Sequence, residues 1–235
     1  MVFDGFWFDG KSTKDFHMRV ESYPDMDAPS RKIETVQVPG RNGDLHIEQD
    51  AFHNLIRTYD VYYHAPATAP AQAHAIKSWL MGAKGYRRLE DVYDPDHFYL
   101  AAFYGPLDIS NQLNKYGRCS LQFDCKPQAF LKSGEAPLEV TGKLFNPTAF
   151  PSKPIIKIFG SGSGSITVGE NIVTMSAISQ YVTLDCDTQN AYKEAENQNS
   201  QIYAPAFPVL QPGVNEITWS GGVTKIEIIP RWWEL

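Results

Sequence analysis

A tight-turn segment between two strand-like runs constrains the fold of this chain more than any other feature. The segment reads Val38-Pro39-Gly40-Arg41-Asn42-Gly43-Asp44-Leu45. Proline fixes one backbone dihedral and removes a donor, glycine permits positive φ, and Asn-Gly favours a tight reversal between strands. Residues 33–38 alternate apolar and polar side chains, as a half-buried strand does. The pattern predicts the tip of a β-hairpin and contains no set of side chains that could catalyse a reaction.

The rest of the first half predicts several strands and one helix. Thr68 or a neighbour starts the helix, Pro70 lies in its first turn, and apolar residues recur at three- and four-residue spacing up to Gly82 and Gly85. One helix on antiparallel strands predicts an α+β domain. The strands are predicted over residues 3–8, 16–23, 33–38, 59–64, 86–89, 97–104 and 117–127.

The second half carries short strand patterns at regular intervals and no helical pattern. Turn clusters separate them, and the glycine–serine run at residues 160–164 is interpreted as a hairpin tip rather than a linker. This spacing predicts a β-sandwich. We therefore expect a domain over residues 1–134 and a second domain over residues 135–235. The strands of the second are predicted over residues 154–159, 165–168, 172–175, 181–185, 215–219 and 225–229.

Charge and cysteine usage narrow the classes of function. The net charge is −6 and the basic residues are scattered, which disfavours direct nucleic-acid binding. No apolar run approaches the length of a membrane span, and the N-terminus lacks a signal-peptide pattern, so we expect a soluble, non-secreted protein. Cys119, Cys125 and Cys186 form no CxxC pair. We expect all three to be small buried side chains of a protein that folds in a reducing cytosol.

The patterns of catalytic and metal sites are absent or incomplete. The six histidines include no His-Glu-x-x-His spacing. The acidic positions from Asp185 to Glu196 resemble a calcium loop, but Asn190 stands where its sharp turn needs glycine, and a strand precedes it. Residues 160–164 match a nucleophile elbow in letters only, because no strand-to-helix context surrounds them. We predict no catalytic residue, no metal site and no cofactor.

Three tryptophans leave one binding hypothesis open. Aromatic faces suit stacking on sugar rings, and Trp219, Trp232 and Trp233 could do this in the second domain. The same residues could equally fill the core or a subunit contact.

The order of motifs along the chain resembles the distal tail protein family of siphophage and prophage tails. In the first half the matching positions are Phe3-x-Gly5, Val38 to Gly43, Trp79-Leu80, Tyr93-x-Pro95-x-x-Phe98-Tyr99 and Leu121 to Pro127. In the second half they are Asn146, Pro154 to Ile158, Thr183 to Asp185, Phe207-Pro208-x-Leu210-x-Pro212-Gly213-x-Asn215 and Ile228 to Arg231. The resemblance spans nearly the whole chain.

This resemblance implies a structural tail protein and not an enzyme. The first domain would form a hexameric ring, or belt, and a galectin-like β-sandwich would project from it. The ring would join the tail tube to the tail-associated fibre or lysin protein, with receptor-binding proteins as further partners and DNA passing through its centre. It would reside in the virion tail after assembly in the bacterial cytoplasm.

Pro39, Gly40, Arg41, Asn42 and Gly43 are the candidate assembly-contact loop, with Arg41 donating to a carboxylate on a neighbour. The alternative function is a carbohydrate-binding adhesin that uses the tryptophans.

Overall fold

The computed structural model describes residues 5–22, 24–112 and 115–235, with the side chains of residues 111 and 112 excluded. Its contacts divide into two compact units, Met1–Ala129 with Leu235, and Phe130–Glu234. The chain passes from one unit to the other within a strand, a few residues before the boundary predicted at residue 134. The predicted fold class, mainly β with a helix in the first half and a second β domain, is confirmed.

The first unit is built on an antiparallel sheet in which the spatial order of the strands differs from their order along the chain. Its elements are β1 (Phe6–Phe8), β2 (Lys11–Ser12), a 3-10 helix (Thr13–Phe16), β3 (Met18–Val20), β4 (Arg31–Val36), β5 (Leu45–Phe52), β6 (Leu55–His64), α1 (Ala69–Gly82), β7 (Arg87–Asp91), β8 (His97–Ala102), β9 (Ser110–Gln112) and β10 (Tyr116–Leu131). The sheet order is β2-β1-β7-β8-β10-β6-β3, and β9 also pairs with β10. Strands β4 and β5 form a separate two-stranded sheet.

Helix α1 begins and ends where the sequence predicts. The Thr68 hydroxyl accepts the backbone N–H of Ala71 at 3.4 Å, which caps the helix, and the helix ends at Gly82. On its buried face, the Trp79 indole N–H donates to the Phe8 carbonyl at 3.0 Å, and the Trp79 ring stacks on Phe16 with centroids 4.3 Å apart. The helix is therefore fixed to the sheet by both packing and a buried hydrogen bond.

The long strand β10 confirms one cysteine prediction and corrects a strand boundary. Cys119 and Cys125 are both buried, as their shared parity predicts, and burial raises the pKa of each thiol to about 12. The strand was expected to end at Pro127 but continues to Leu131. Pairing with β6 ends at Cys125, so Pro127 removes no donor from that ladder.

The second unit contains three strands that are longer than the sequence predicts, and several short strands that it does not predict. They are β11 (Leu138–Glu139), β12 (Lys143–Asn146), β13 (Ile155–Val168), β14 (Asn171–Asp185), β15 (Asn190–Lys193), β16 (Glu196–Asn197), β17 (Ile202–Tyr203), β18 (Gly213–Ile229) and β19 (Trp233–Glu234), with 3-10 helices at Lys132–Gly134 and Asn199–Gln201. The sheet order is β11-β18-β13-β14-β15-β16, with β12 beside β18 and β17 beside β14. The six predicted strands are the halves of β13, β14 and β18.

The glycine–serine run is a bend inside β13 and not a hairpin tip, which corrects the prediction. The register with both neighbouring strands shifts between Gly160 and Gly164. A Cβ atom at Gly222 of β18 would collide with the carbonyl oxygen of Ser161, so the backbones of β13 and β18 approach each other closely here. Ile158 and Ile166, from opposite halves of β13, lie in the same buried cluster. One set of long strands thus encloses the core from two sides.

Candidate assembly site

The β4–β5 hairpin with its connecting residues 37–44, here called the arm, contains the predicted assembly loop. Its ladder pairs Val36 with Leu45, and Glu34 with Ile47, in antiparallel register. Within the described residues β4 and β5 pair only with each other, so each strand leaves one edge unpaired. Unpaired strand edges are available to bind another chain.

The tip of the arm has well-defined turn geometry. The Arg41 backbone N–H donates to the Val38 carbonyl at 3.2 Å, with Pro39 and Gly40 at the corner. Gly40 has φ of 80°, which a type II turn requires at this position. The Asn42-Gly43 pair, expected to reverse the chain by itself, instead forms part of an eight-residue connection between Val36 and Leu45. The loop is at the hairpin tip, but Pro39-Gly40 makes the turn.

The described part of the chain leaves most of the arm exposed. None of residues 31–50 is buried. Ile33, Val38, Leu45 and Ile47 are exposed by 43%, 39%, 39% and 45%. A two-stranded hairpin alone is marginally stable in water. The arm therefore has apolar side chains and strand edges available for another polypeptide.

The apolar residues of the arm are concentrated on one face. The register places Val36, Leu45 and Ile47 together with Glu34 on this face. The opposite face carries Ile33 and mostly polar side chains. Leu45 and Ile47 were not predicted as contact residues, because an alternating pattern predicts a buried face without indicating which chain covers it.

Arg41 lies at the end of the arm with its guanidinium exposed. In the residues that the structure describes, this guanidinium takes part in no ion pair or side-chain hydrogen bond. Its planar set of donors is therefore available to a carboxylate outside the chain. At the other end, the backbone N–H of His53 donates to the Ser30 carbonyl at 2.9 Å, and the Arg31 guanidinium lies 5.0 Å above the Phe52 ring, which close the base of the arm.

A buried ionic cluster stabilises the main sheet of the first unit, which the chain enters directly after the arm. Arg57 donates to the Asp91 carboxylate at 2.9 Å and to the Tyr59 hydroxyl at 2.8 Å, and Tyr59 donates to Asp91 at 2.6 Å. Burial opposes the charge of Arg57, but Tyr59, Tyr99 and Asp91 hold its pKa above the usual value. Burial raises the pKa of Tyr59 well above its usual value, so its hydroxyl stays a donor. The arm is therefore followed directly by β6, which carries Arg57 and Tyr59 of this cluster.

The three tryptophans do not form one exposed platform. Trp232 is 4% exposed and belongs to the core of the second unit. Trp219 is half-buried against the same core, on the inner side of β18. Trp233 stacks on Phe150 with centroids 4.5 Å apart and donates its indole N–H to the Pro151 carbonyl at 2.9 Å. Each ring already contacts this chain on at least one side.

In the acidic segment that resembles a calcium loop, Asp185 forms an ion pair with Arg231. Arg231 donates to both carboxylate oxygens of Asp185, at 2.7 and 3.2 Å. Burial alone would raise the pKa of Asp185, but the Arg231 guanidinium lowers it below its usual value. In the described ranges, no three His, Cys, Asp or Glu side chains gather as a metal-binding group. In those same ranges, no helix has the length and apolar character to cross a membrane.

Comparison with known proteins gives a structural match only. The chain matches no protein-family model and no curated protein sequence. Its structure is similar to the crystal structure of the SPP1 Dit (gp 19.1) protein, described as a paradigm of the hub adsorption apparatus in phages that infect Gram-positive bacteria. The TM-score is 0.75 at 13% identity, over 98% of this chain and 99% of that one. The chain therefore has the Dit fold along nearly its whole length.

Proposed function

We propose that this protein is a structural hub of a phage tail, which assembles as a hexameric ring through its arm. The observation that carries this proposal is the arm itself, because none of residues 31–50 is buried by the described part of the chain. The similarity to a hub protein over both units supports the same role. Domains at residues 1–134 and 135–235, the second galectin-like, are part of this proposal.

A ring requires a heterologous contact, in which one surface of each copy binds a different surface of the next. The arm is suited to this contact because its residues are unburied and, within the described residues, its two strands pair only with each other. Val36, Leu45 and Ile47 would supply buried apolar area, and the unpaired edge of β4 or β5 would supply backbone hydrogen bonds. Arg41 would pair with a carboxylate of the neighbouring copy.

The hub would hold other tail proteins in register and would catalyse no reaction. Its proposed partners are the tail tube protein on one side and the tail-associated fibre or lysin protein on the other, with a receptor-binding protein as a further partner. Its place would be the virion tail, after assembly in the host cytoplasm. DNA would pass through the ring without a basic surface to bind it, which agrees with a net charge of −6.

Native mass spectrometry of the full chain, compared with a variant lacking the arm, tests this proposal. In the variant, residues 31–52 are replaced by a short glycine–serine linker. We expect the full chain to form a six-chain particle and the variant to stay monomeric while still unfolding cooperatively at a similar temperature, because no arm residue belongs to the core. Arg41→Ala should weaken assembly, whereas Arg87→Ala, which removes an exposed Arg87–Asp9 pair at 3.7 Å, should not.

Two outcomes would contradict the proposal. One is a six-chain particle that forms equally well without the arm. The other is a full chain that stays monomeric at its highest soluble concentration and does not assemble with purified tail proteins either.

A further inference from the structure

The bend in the long strands divides the outer surface of the second unit into two halves of different chemistry. On one half four of the nine outward side chains of β13, β14 and β18 are charged, namely Lys157, Asp185, Lys225 and Glu227. Beyond the bend, the same three strands carry only hydroxyl and apolar side chains outward, apart from one glutamate. Charged outward side chains are therefore concentrated on one half of these three strands.

The half with a single outward glutamate on these three strands, here called the hydroxyl face, has its polar side chains in cross-strand rows. Thr174 lies opposite Tyr203 and Ser165, and Ser165 lies opposite Ser220. The next row pairs Thr167 with Thr218 on one side and with Ile172 on the other. Neighbouring strands lie about 4.7–4.9 Å apart, so these rows present hydroxyl groups at the scale of a sugar ring. The defining residues of the face are Ser165, Thr167, Thr174, Tyr203, Thr218 and Ser220.

Several donors and acceptors on this face are free. The hydroxyl groups of Thr167 and Thr218 make no hydrogen bond within the described residues, whereas Ser165 and Ser220 bond to each other at 2.8 Å. A hydroxyl group both donates and accepts, which matches the hydroxyl groups of a carbohydrate.

Open aromatic and aliphatic groups lie at both ends of the hydroxyl face. Tyr203 is 70% exposed at one end, next to Ile172 at 52%. Phe145 and Val214, a directly opposed pair on β12 and β18, are 62% and 63% exposed at the other. On the charged half, by contrast, the Tyr181 ring is covered by the Lys157 ammonium at 4.2 Å. The open rings can stack on an uncharged ligand.

We propose that the hydroxyl face binds an uncharged polysaccharide. The charges of the region favour such a ligand, because among the described residues its strand-borne ions are Lys143 and Glu216, which lie opposite each other and pair at 3.4 Å. An acidic polymer would meet no free cation there. The proposal places sugar binding on the side of β18 opposite to Trp219, because Thr218 and Ser220 point away from the core that Trp219 contacts.

Affinity electrophoresis of the full chain tests this proposal. The native gels contain dextran, soluble starch or galactomannan as neutral polymers and polygalacturonate as a charged one. We expect at least one neutral polymer to slow the protein and polygalacturonate to have no effect. The double variant Thr167→Val/Thr218→Val should weaken the binding about tenfold, and Tyr203→Ala about fivefold, because hydroxyl bonds and ring stacking are lost. Valine keeps the β-branched shape that the strands need.

Matched substitutions on β6 control for the chemistry of the change. Thr58→Val and Tyr62→Ala, both outside the hydroxyl face, should leave migration in the gels unchanged. Trp219→Phe should also bind normally. The proposal is overturned if no neutral polymer slows the protein, if the hydroxyl-face variants bind as well as the parent, or if Trp219→Phe alone abolishes binding. A change in oligomeric mass caused by these variants would overturn it too, because the face would then be a protein interface.

Discussion

At the scale of single residues, the Arg57–Asp91–Tyr59 cluster is a buried ionic network of the first unit. The side chains of Arg57 and Asp91 are only 6% and 1% exposed, yet both are ionic. Asp91 also accepts the backbone N–H groups of Tyr93 and Asp94, at 3.0 and 2.9 Å. Each oxygen of this buried carboxylate is therefore satisfied, and removing one partner leaves a charge without compensation.

We predict that Arg57→Met destabilises the first unit by about 3–5 kcal/mol, because Asp91 stays buried without its cation. Hydrogen exchange of the β6 and β10 amides, followed by mass spectrometry, measures this change. Arg118→Met is the matched control, since Arg118 pairs with Glu21 at 2.8 Å but is 70% exposed. Its cost should be about 0–1 kcal/mol. Equal effects of the two variants would show that burial of the ion pair does not decide its contribution.

Residue patterns alone could predict part of this chemistry. The parity of Cys119 and Cys125 predicted their common burial, and Thr68 with Pro70 predicted the start of the helix. Nothing local indicated that Arg57 and Asp91 would meet. They lie on β6 and β7, which are not neighbours in the sheet, so only the tertiary fold brings their side chains together.

At the scale of elements, the bend in β13 shows why strand boundaries in the second unit were wrong. Glycine and serine clusters mark turns in most sequences, and residues 160–164 have that composition. Bulges and close backbone crossings need the same residue types as turns. Composition cannot distinguish the two uses, although the turn at Gly169 between β13 and β14 was predicted correctly.

The arm illustrates a second limit of prediction at this scale. Alternation correctly predicted a strand in the region of β4, and Pro39 to Gly43 correctly predicted a loop. The alternation of Leu45 and Ile47 with polar residues gives the same signal whether a face is covered by its own chain or by another. The separation of the arm from the main sheet was therefore not predictable from the sequence.

We predict that Gly222→Ala destabilises the second unit by about 1–3 kcal/mol, because the new methyl group must displace the Ser161 carbonyl in a packed backbone crossing. Thermal unfolding followed by circular dichroism measures the loss. Gly82→Ala at the end of α1 is the control, since a Cβ there meets no atom within 4 Å. Its effect should be within about 1 kcal/mol. If Gly222→Ala unfolds at the parent temperature, the crossing is not tightly packed.

At the scale of the whole molecule, the second unit has the features of an independently folding domain. Its buried cluster draws only on residues after Phe130. The beginning and end of the unit also bind each other. Leu131 donates its backbone N–H to the Trp232 carbonyl at 2.9 Å, and Arg231 donates its backbone N–H to the Gly134 carbonyl at 3.0 Å. Chain ends that lie close together and a hydrophobic core of its own are the properties of an autonomous domain.

We predict that residues 130–235 expressed alone fold cooperatively and stay monomeric at concentrations where the full chain assembles. The piece retains the whole second core but lacks the arm, which lies between Arg31 and Phe52. Thermal unfolding by circular dichroism tests its folding, and native mass spectrometry tests its assembly. The variant Ile158→Asp, which introduces a buried charge, is the control and should abolish the unfolding transition. Six-chain particles formed by this piece would place the ring contact in the second unit and remove the arm from the explanation.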